Sequence, residues 1–366
     1  MRKKNFKKTM KKREIKGLIL LRLVIQHGVI FRLLPIESDG YTDPYITETT
    51  KEMPWRRLRT NASLACRTTL VSVIFRDKIV VKSHLLPKTL RRLTVVRDST
   101  LEGDIKDLPP NLVYLRLGHN FDRPIDKFLP PNLTTLVFYD GFNQRVDHLP
   151  AELTRLHLGN RFNQPIDHLP LSLTHLTLGN GFNQPINNLP PKLTHLTLGH
   201  NFDNFNQPLK NVLPSSLTHL VLRHRFNQPI LENSLPNNLT HLTLGGHFDQ
   251  LLSKDNLPLS LTHLVLGIKF NQPVDDLPPK LTSLVLGHCF DQPVDNLPFG
   301  LTDLVLGFCF NQPVNKLPPS LTSLTLGRCF NRPLDKLPAN LTHLTLCPNY
   351  TLPLIHLSST LTLKYH

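Results

Sequence analysis

Five histidines, His175, His195, His219, His241 and His263, occupy the same place in five consecutive copies of a Leu-Thr-His-Leu-(Thr/Val)-Leu motif. Two residues after each stands a threonine or valine: Thr177, Thr197, Val221, Thr243 and Val265. Imidazole titrates near neutrality and is a common ligand of transition metals. A file of imidazoles set one strand apart could sense pH, hold a metal between neighbours, or meet a partner protein. Like charges at that spacing would oppose protonation of the whole file. A plainer account competes with all three: repeats copied from one another share whatever surface residue the first copy carried. Together the ten residues make a face with hardly any charge, of a kind that a protein partner could cover.

A second file consists of Cys289, Cys309 and Cys329, with His288 alongside. Structural zinc sites draw on closely spaced cysteine pairs and four donors, and neither is present here, so copying of the repeat accounts for the spacing. With Cys66 and Cys347 the chain has five cysteines, too unevenly placed for a disulfide framework and suited to a reducing compartment. Phosphate-binding glycine motifs are missing, and the serines, histidines and aspartates fall in files without the pocket that nucleophilic catalysis requires. The expectation is a non-enzymatic protein that uses no cofactor and no metal.

The element that positions these files is a repeat of about 20 residues. Its first leucine recurs at Leu90, Leu112, Leu133, Leu153, Leu173, Leu193, Leu217, Leu239, Leu261, Leu281, Leu301, Leu321, Leu341 and Leu361. In the copy that starts at Leu173, Leu176 and Leu178 also point inward while His175 and Thr177 point outward, the alternation of a half-buried strand. The outward position of His175 is held in earlier copies by Tyr114, Thr135 and Arg155, and in later ones by Ser283, Asp303, Ser323 and His343; that of Thr177 is held by Arg116, Val137 and His157 in the earlier copies. Stacked copies of the strand give one parallel sheet at about 4.8 Å per strand. Gly179 lets the chain turn off the sheet. Phe182 enters the core in a column with Phe121, Phe142, Phe162, Phe202, Phe226, Phe248, Phe270, Phe290, Phe310 and Phe330. Asn183 can bond backbone groups of its own turn and of the neighbouring coil. Pro185 and Pro190 exclude a helix on the return path, which should be extended or 3₁₀. Between residues 193 and 261 the rhythm breaks, with part of the motif doubled at 202–208 and turns lengthened at 231–234 and 251–254.

The fold class is therefore a β-rich solenoid, a leucine-rich-repeat-like right-handed stack of about 13 coils of about 20 residues with one continuous parallel sheet roughly 60 Å long. The chain has 366 residues and a formal charge of +15, and the whole excess lies in residues 1–100, with 23 Lys/Arg against 8 Asp/Glu; residues 101–366 carry 19 of each. A neutral repeat body argues against nucleic acid wrapped along the solenoid, since phosphates call for a positive stripe. Three segments follow: a basic leader over 1–36, which could be a nuclear-localisation signal, a nucleic-acid tether or a contact for an acidic membrane; an N-terminal cap or degenerate F-box over 37–85; and the solenoid over 86–366. The stretch 71–89 reads as the entry strand. No stretch is apolar and long enough to span a membrane, and the basic start lacks a clear cleavage site for secretion. The expected location is the cytoplasm, with the nucleus as an alternative.

The Phe-Asn-Gln-Pro element and the Leu-Pro-Pro-x-Leu-Thr-x-Leu-x-Leu element, recurring in step over residues 86–355, resemble the FNIP repeat family, named for Phe-Asn-Ile-Pro. Members of that family occur mainly in social amoebae and in giant viruses that infect amoebae, and many carry an N-terminal F-box that recruits a cullin-type ubiquitin ligase. Here only fragments of an F-box are present: Leu34-Pro35-Ile36-Glu37, then Cys66-Arg67 after Trp55, interrupted by Gly40-Tyr41-Thr42-Asp43-Pro44. The resemblance implies a protein-interaction scaffold whose partner lies across the concave sheet. The alternative it carries is a substrate receptor that meets a ubiquitin-ligase adaptor through a divergent F-box.

Overall fold

The computed structural model describes residues 30–31, 72–75, 80–96, 100–125, 128–199, 205–354 and 359–365. One sixteen-stranded sheet runs the length of the molecule. It opens with Ile30–Phe31, antiparallel to Ser72–Phe75. From Ser72–Phe75 through Arg92–Val95 and on to Thr362–Tyr365 every further pairing is parallel and follows chain order. Val80–Lys82 and Thr100–Glu102 form a separate two-stranded parallel sheet. Among the described residues the helical turns are two 3₁₀ pieces, Ser83–Leu85 and Ile105–Asp107. Elsewhere the return path is made of turns and extended chain, as prolines without a donor N–H require.

Strands form here because alternate residues have different fates. Leu176 and Leu178 are buried, whereas His175 and Thr177 on the other face are half-exposed. Each coil adds three buried leucines and a phenylalanine to a core shared by its neighbours, so no coil can bury its apolar face alone. The phenylalanines stack from Phe142 to Phe330 with ring centroids 6.0–6.4 Å apart. The histidine rings on the opposite side of the sheet are only 4.1–4.2 Å apart. Successive coils therefore fan out away from the sheet, which lines the inner, concave side.

The irregular stretch corrects one expectation. The column is filled by Phe205 and not by Phe202, which lies outside the described residues. Phe205 is buried between Phe182 and Phe226 at 6.3 and 6.4 Å. The doubled motif offered two phenylalanines, and the one followed by Asn206-Gln207-Pro208 continues the coil. The longer turns leave the register untouched, since His195 still lies opposite His219 and His219 opposite His241. A second correction falls at the end of the sheet. Thr362 pairs with His343, so Thr360 holds the first position of that copy and Leu361 is only partly buried.

Glycine after the strand has, in most coils, a different cause from the one expected. Gly179 does not adopt a left-handed backbone; a Cβ there would run into the backbone of Gly159 in the coil before, and the same close approach recurs from Gly245 to Gly327. Gly199 is the exception, with a left-handed φ of 87°.

Candidate partner-binding face

The strands His175–Leu178, His195–Leu198, His219–Leu222, His241–Leu244 and His263–Leu266 place all ten candidate residues on the concave face in strict register. The histidines stack with interplanar angles of 11–12°. Thr177, Thr197, Val221, Thr243 and Val265 form the parallel file beside them.

An unanticipated set of residues orients the file: the threonine before each histidine. Thr218 Oγ1 donates to the carbonyl oxygen of Thr194 at 3.1 Å and lies 2.8 Å from His219 Nδ1. The same pair of contacts recurs at Thr174, Thr194, Thr240 and Thr262, with Oγ1–Nδ1 distances of 2.9 Å. A hydroxyl has one proton. With that proton on the carbonyl, Oγ1 accepts from Nδ1–H. This arrangement favours the Nδ1–H tautomer, with Nε2 as a lone-pair acceptor. In that tautomer the five rings present a row of acceptors. The signal was present in the sequence as a threonine in every Leu-Thr-His copy, but it reads equally as strand propensity.

His175, His195, His219 and His241 are also held neutral. Burial pushes His175 down to about 4, and the neighbouring His195, Arg155 and His219 add to it. His241 is likewise lowered to about 4, by burial first and then by His219 and His263. His195 and His219 are lowered for the same principal reason. Desolvation outweighs the mutual repulsion of the rings. Nearly parallel rings at this spacing direct their lone pairs side by side instead of toward one point, and among the described residues no three His, Cys, Asp or Glu side chains are placed to hold a metal ion.

Toward the N-terminal end the face changes character. Arg92 lies 4.5 Å over the Tyr114 ring and Arg116 lies 4.4 Å over the Tyr139 ring. His119 stacks on Tyr139 at 4.6 Å, with its Nδ1 3.0 Å from an Asp140 carboxylate oxygen. Arg92 and Tyr139 escaped the sequence reading because they stand where other copies carry different residue types. Toward the other end Ser283 and then Asp303 continue the histidine position.

Cys289, Cys309 and Cys329 are free thiols in successive coils, and Cys347 is buried. Partial burial and the neighbouring Cys289 and Cys329 push the Cys309 thiol up, away from the thiolate that a nucleophile needs. Cys66 lies outside the described residues, as does most of the stretch read as an F-box. Just before it, Ile30–Phe31 is a strand. No helix among the described residues is long and apolar enough to cross a membrane.

A curved parallel sheet flanked by turns and built on a leucine core defines a leucine-rich-repeat-type solenoid. The FNIP repeat family matches at residues 102–140, 142–181, 162–201, 182–224, 205–247, 226–269, 290–329 and 310–348, and the chain belongs to that family. Among solved structures it is similar to CroV588, described as a novel circular LRR protein, with 38% identity and a TM-score of 0.60 over 81% of this chain. The chain spans about half of CroV588, 53% of its length. It also shares the fold of the internalin InlF from Listeria monocytogenes, with 20% identity, a TM-score of 0.51, and coverage of 80% of this chain and 86% of that one. No curated protein matches the chain in sequence.

Proposed function

We propose that this protein is a non-enzymatic scaffold that binds a partner protein across its concave sheet, centred on His175, Thr177, His195, Thr197, His219, Val221, His241, Thr243, His263 and Val265. The observation that carries the reading is the stacked, threonine-contacted file of imidazoles, four of which burial holds neutral. It offers an ordered row of hydrogen-bonding groups beside a β-branched file, with little charge to desolvate. Rigid side chains lose little entropy when a partner covers them. Repeat solenoids of this kind use their extended concave surfaces for binding.

The test is purification of the tagged full chain from its own cells beside a variant carrying His195→Glu, His219→Glu and His241→Glu. The expected result is a co-purifying protein present with the parent and lost with the variant, while circular dichroism of the two is the same. A partner retained by the variant would move the site off this face. Recovery of a ubiquitin-ligase adaptor with a cullin would make the protein a substrate receptor, with the same face choosing the substrate.

A further inference from the structure

We infer that the N-terminal end of the concave face, built on Arg92, Tyr114, Arg116 and Tyr139, is a binding site for a carboxylate-rich segment of a partner protein. The inference rests on the reading that the partner lies across the concave sheet, and it assigns the chemistry of one end of that partner.

Each guanidinium lies over a phenol ring, Arg92 on Tyr114 and Arg116 on Tyr139. Stacking occupies the flat face of the guanidinium and leaves its N–H edge, which matches a carboxylate in fork geometry. Among the described residues neither arginine forms a salt bridge. Arg116 Nε is a buried donor without a hydrogen-bond partner, so this end of the face holds a cationic donor that lacks an acceptor among the described residues. Burial raises the pKa of Tyr114 against the charges of Arg116 and Arg92 and a hydrogen bond from Arg116, so its hydroxyl keeps its proton and is a further donor, while Arg92 keeps its N–H edge for a ligand.

The wider face agrees in charge. From Arg92 to Val285 its two outward files contain Arg92, Arg116 and Arg155 and not one carboxylate; the first is Asp303. The strands of Arg92 and Arg155 are three steps apart, roughly 14 Å at the usual strand spacing. A single small anion cannot span that distance. An extended peptide can, because side chains on one of its faces recur about every 6.7 Å. Nucleic acid is the less suitable occupant, since the solenoid beyond these coils offers no continuing positive stripe: residues 101–366 carry equal numbers of acidic and basic side chains.

The test is fluorescence anisotropy with a labelled ten-residue Asp/Glu peptide bearing one photo-crosslinking residue, on the full chain at about 0.15 M salt, where surface charges are screened beyond ~8 Å. The expected result is an affinity at least tenfold lower in the Arg92→Gln/Arg116→Gln variant. Arg328→Gln, which removes a guanidinium 5.9 Å over Phe308 far from the site, should leave it unchanged. Cross-links should fall on the coils of Tyr114 and Tyr139. If the double variant does not fold, Arg92→Gln alone decides, because the side chain is exposed and its loss should still weaken binding about threefold. Equal affinity in parent and Arg92 variants, or cross-links confined to the basic residues 1–36, would overturn the assignment. An oligonucleotide of equal charge that binds more tightly than the peptide, and is weakened by the same double variant, would overturn the choice of a protein segment. The histidine variant of the preceding section separates the two readings. If the cellular partner ignores both sets of substitutions, the concave-face reading fails. If it is lost with the histidines while the peptide ignores the arginines, only the acidic-segment assignment fails.

Discussion

At the scale of single residues, the face is governed by where protons sit. A relay from His219 Nδ1–H to Thr218 Oγ1–H to the Thr194 carbonyl would favour one tautomer. Nitrogen-15 spectra at neutral pH should show Nδ1 protonated and Nε2 bare for the file. In Thr218→Val the pattern should be lost at His219, at a cost of about 0.5–1.5 kcal/mol for the missing hydrogen bond. A protonated Nε2 in the parent would refute the relay. The same neutrality has a pH signature. The unfolded chain takes up protons near 6.5, whereas folded His175 and His241 resist until about 4. Stability from this source is complete above pH 6.5 and falls as the pH drops through the window toward 4, because the unfolded state then binds more protons. Melting temperatures at pH 7 and pH 5 should differ in the parent and differ less when His175, His195, His219 and His241 are all glutamine. Equal pH dependence in the two would show that the file does not couple to folding.

At the scale of the coil, two ladders run parallel to the sheet and lock neighbours together. Asn271 Oδ1 accepts the Asp291 N–H at 2.9 Å and Gln292 Nε2 at 3.3 Å, and equivalents recur from Asp122 to Asn331. Asn271→Ala should cost about 1–3 kcal/mol, since it strands the backbone N–H of Asp291. Phe290→Ala, which opens the spine, should cost about 3–5 kcal/mol. Chemical denaturation of both variants checks the order; a larger loss at Asn271 would mean that the turn outweighs the core. These ladders show what could be read beforehand. The strand, the leucine and phenylalanine columns and the bonding of the Asn column to the next coil all follow from side-chain type at a fixed period. What escaped was any choice between similar residues or any cause lying between coils. Phe202 and Phe205 are chemically identical, so only register decides which is the core residue. Leu361 loses its place to Thr360 because pairing, not hydrophobicity, sets the last strand. Gly179 is required by the backbone of Gly159, a neighbour 20 residues away in sequence. The histidine file was legible as a file, while its tautomer depended on a hydroxyl between two coils.

At the scale of the whole molecule, the stack is nearly one-dimensional: each strand pairs with the one before and the one after. Stability in such a molecule is a sum over coils and the contacts between neighbours, without a single long-range core to close. A whole coil is then a removable unit provided that every column is rejoined. Deleting residues 283–302 connects Thr282 to Asp303, so the strand Asp303–Leu306 takes the place of Ser283–Leu286 beside His263–Leu266. The threonine relay, the glycine approach, the phenylalanine spine and the Asn ladder all find an equivalent partner in the shortened chain. Deleting only residues 283–292 removes the same strand and leaves the following half-coil with no leucine face to pack, exposing Phe270 and Phe310. The full-coil deletion should stay folded, with a circular dichroism spectrum like the parent's and a melting temperature within about 8 °C of it, the shift expected for 1–2 kcal/mol. The half-coil deletion should aggregate or unfold. Because residues 283–302 lie outside both the histidine file and the arginine cluster, the shortened protein should also keep its partner. A full-coil deletion that unfolds would mean that the coils are not interchangeable and that the irregular stretch between residues 193 and 261 sets a register the later coils must match.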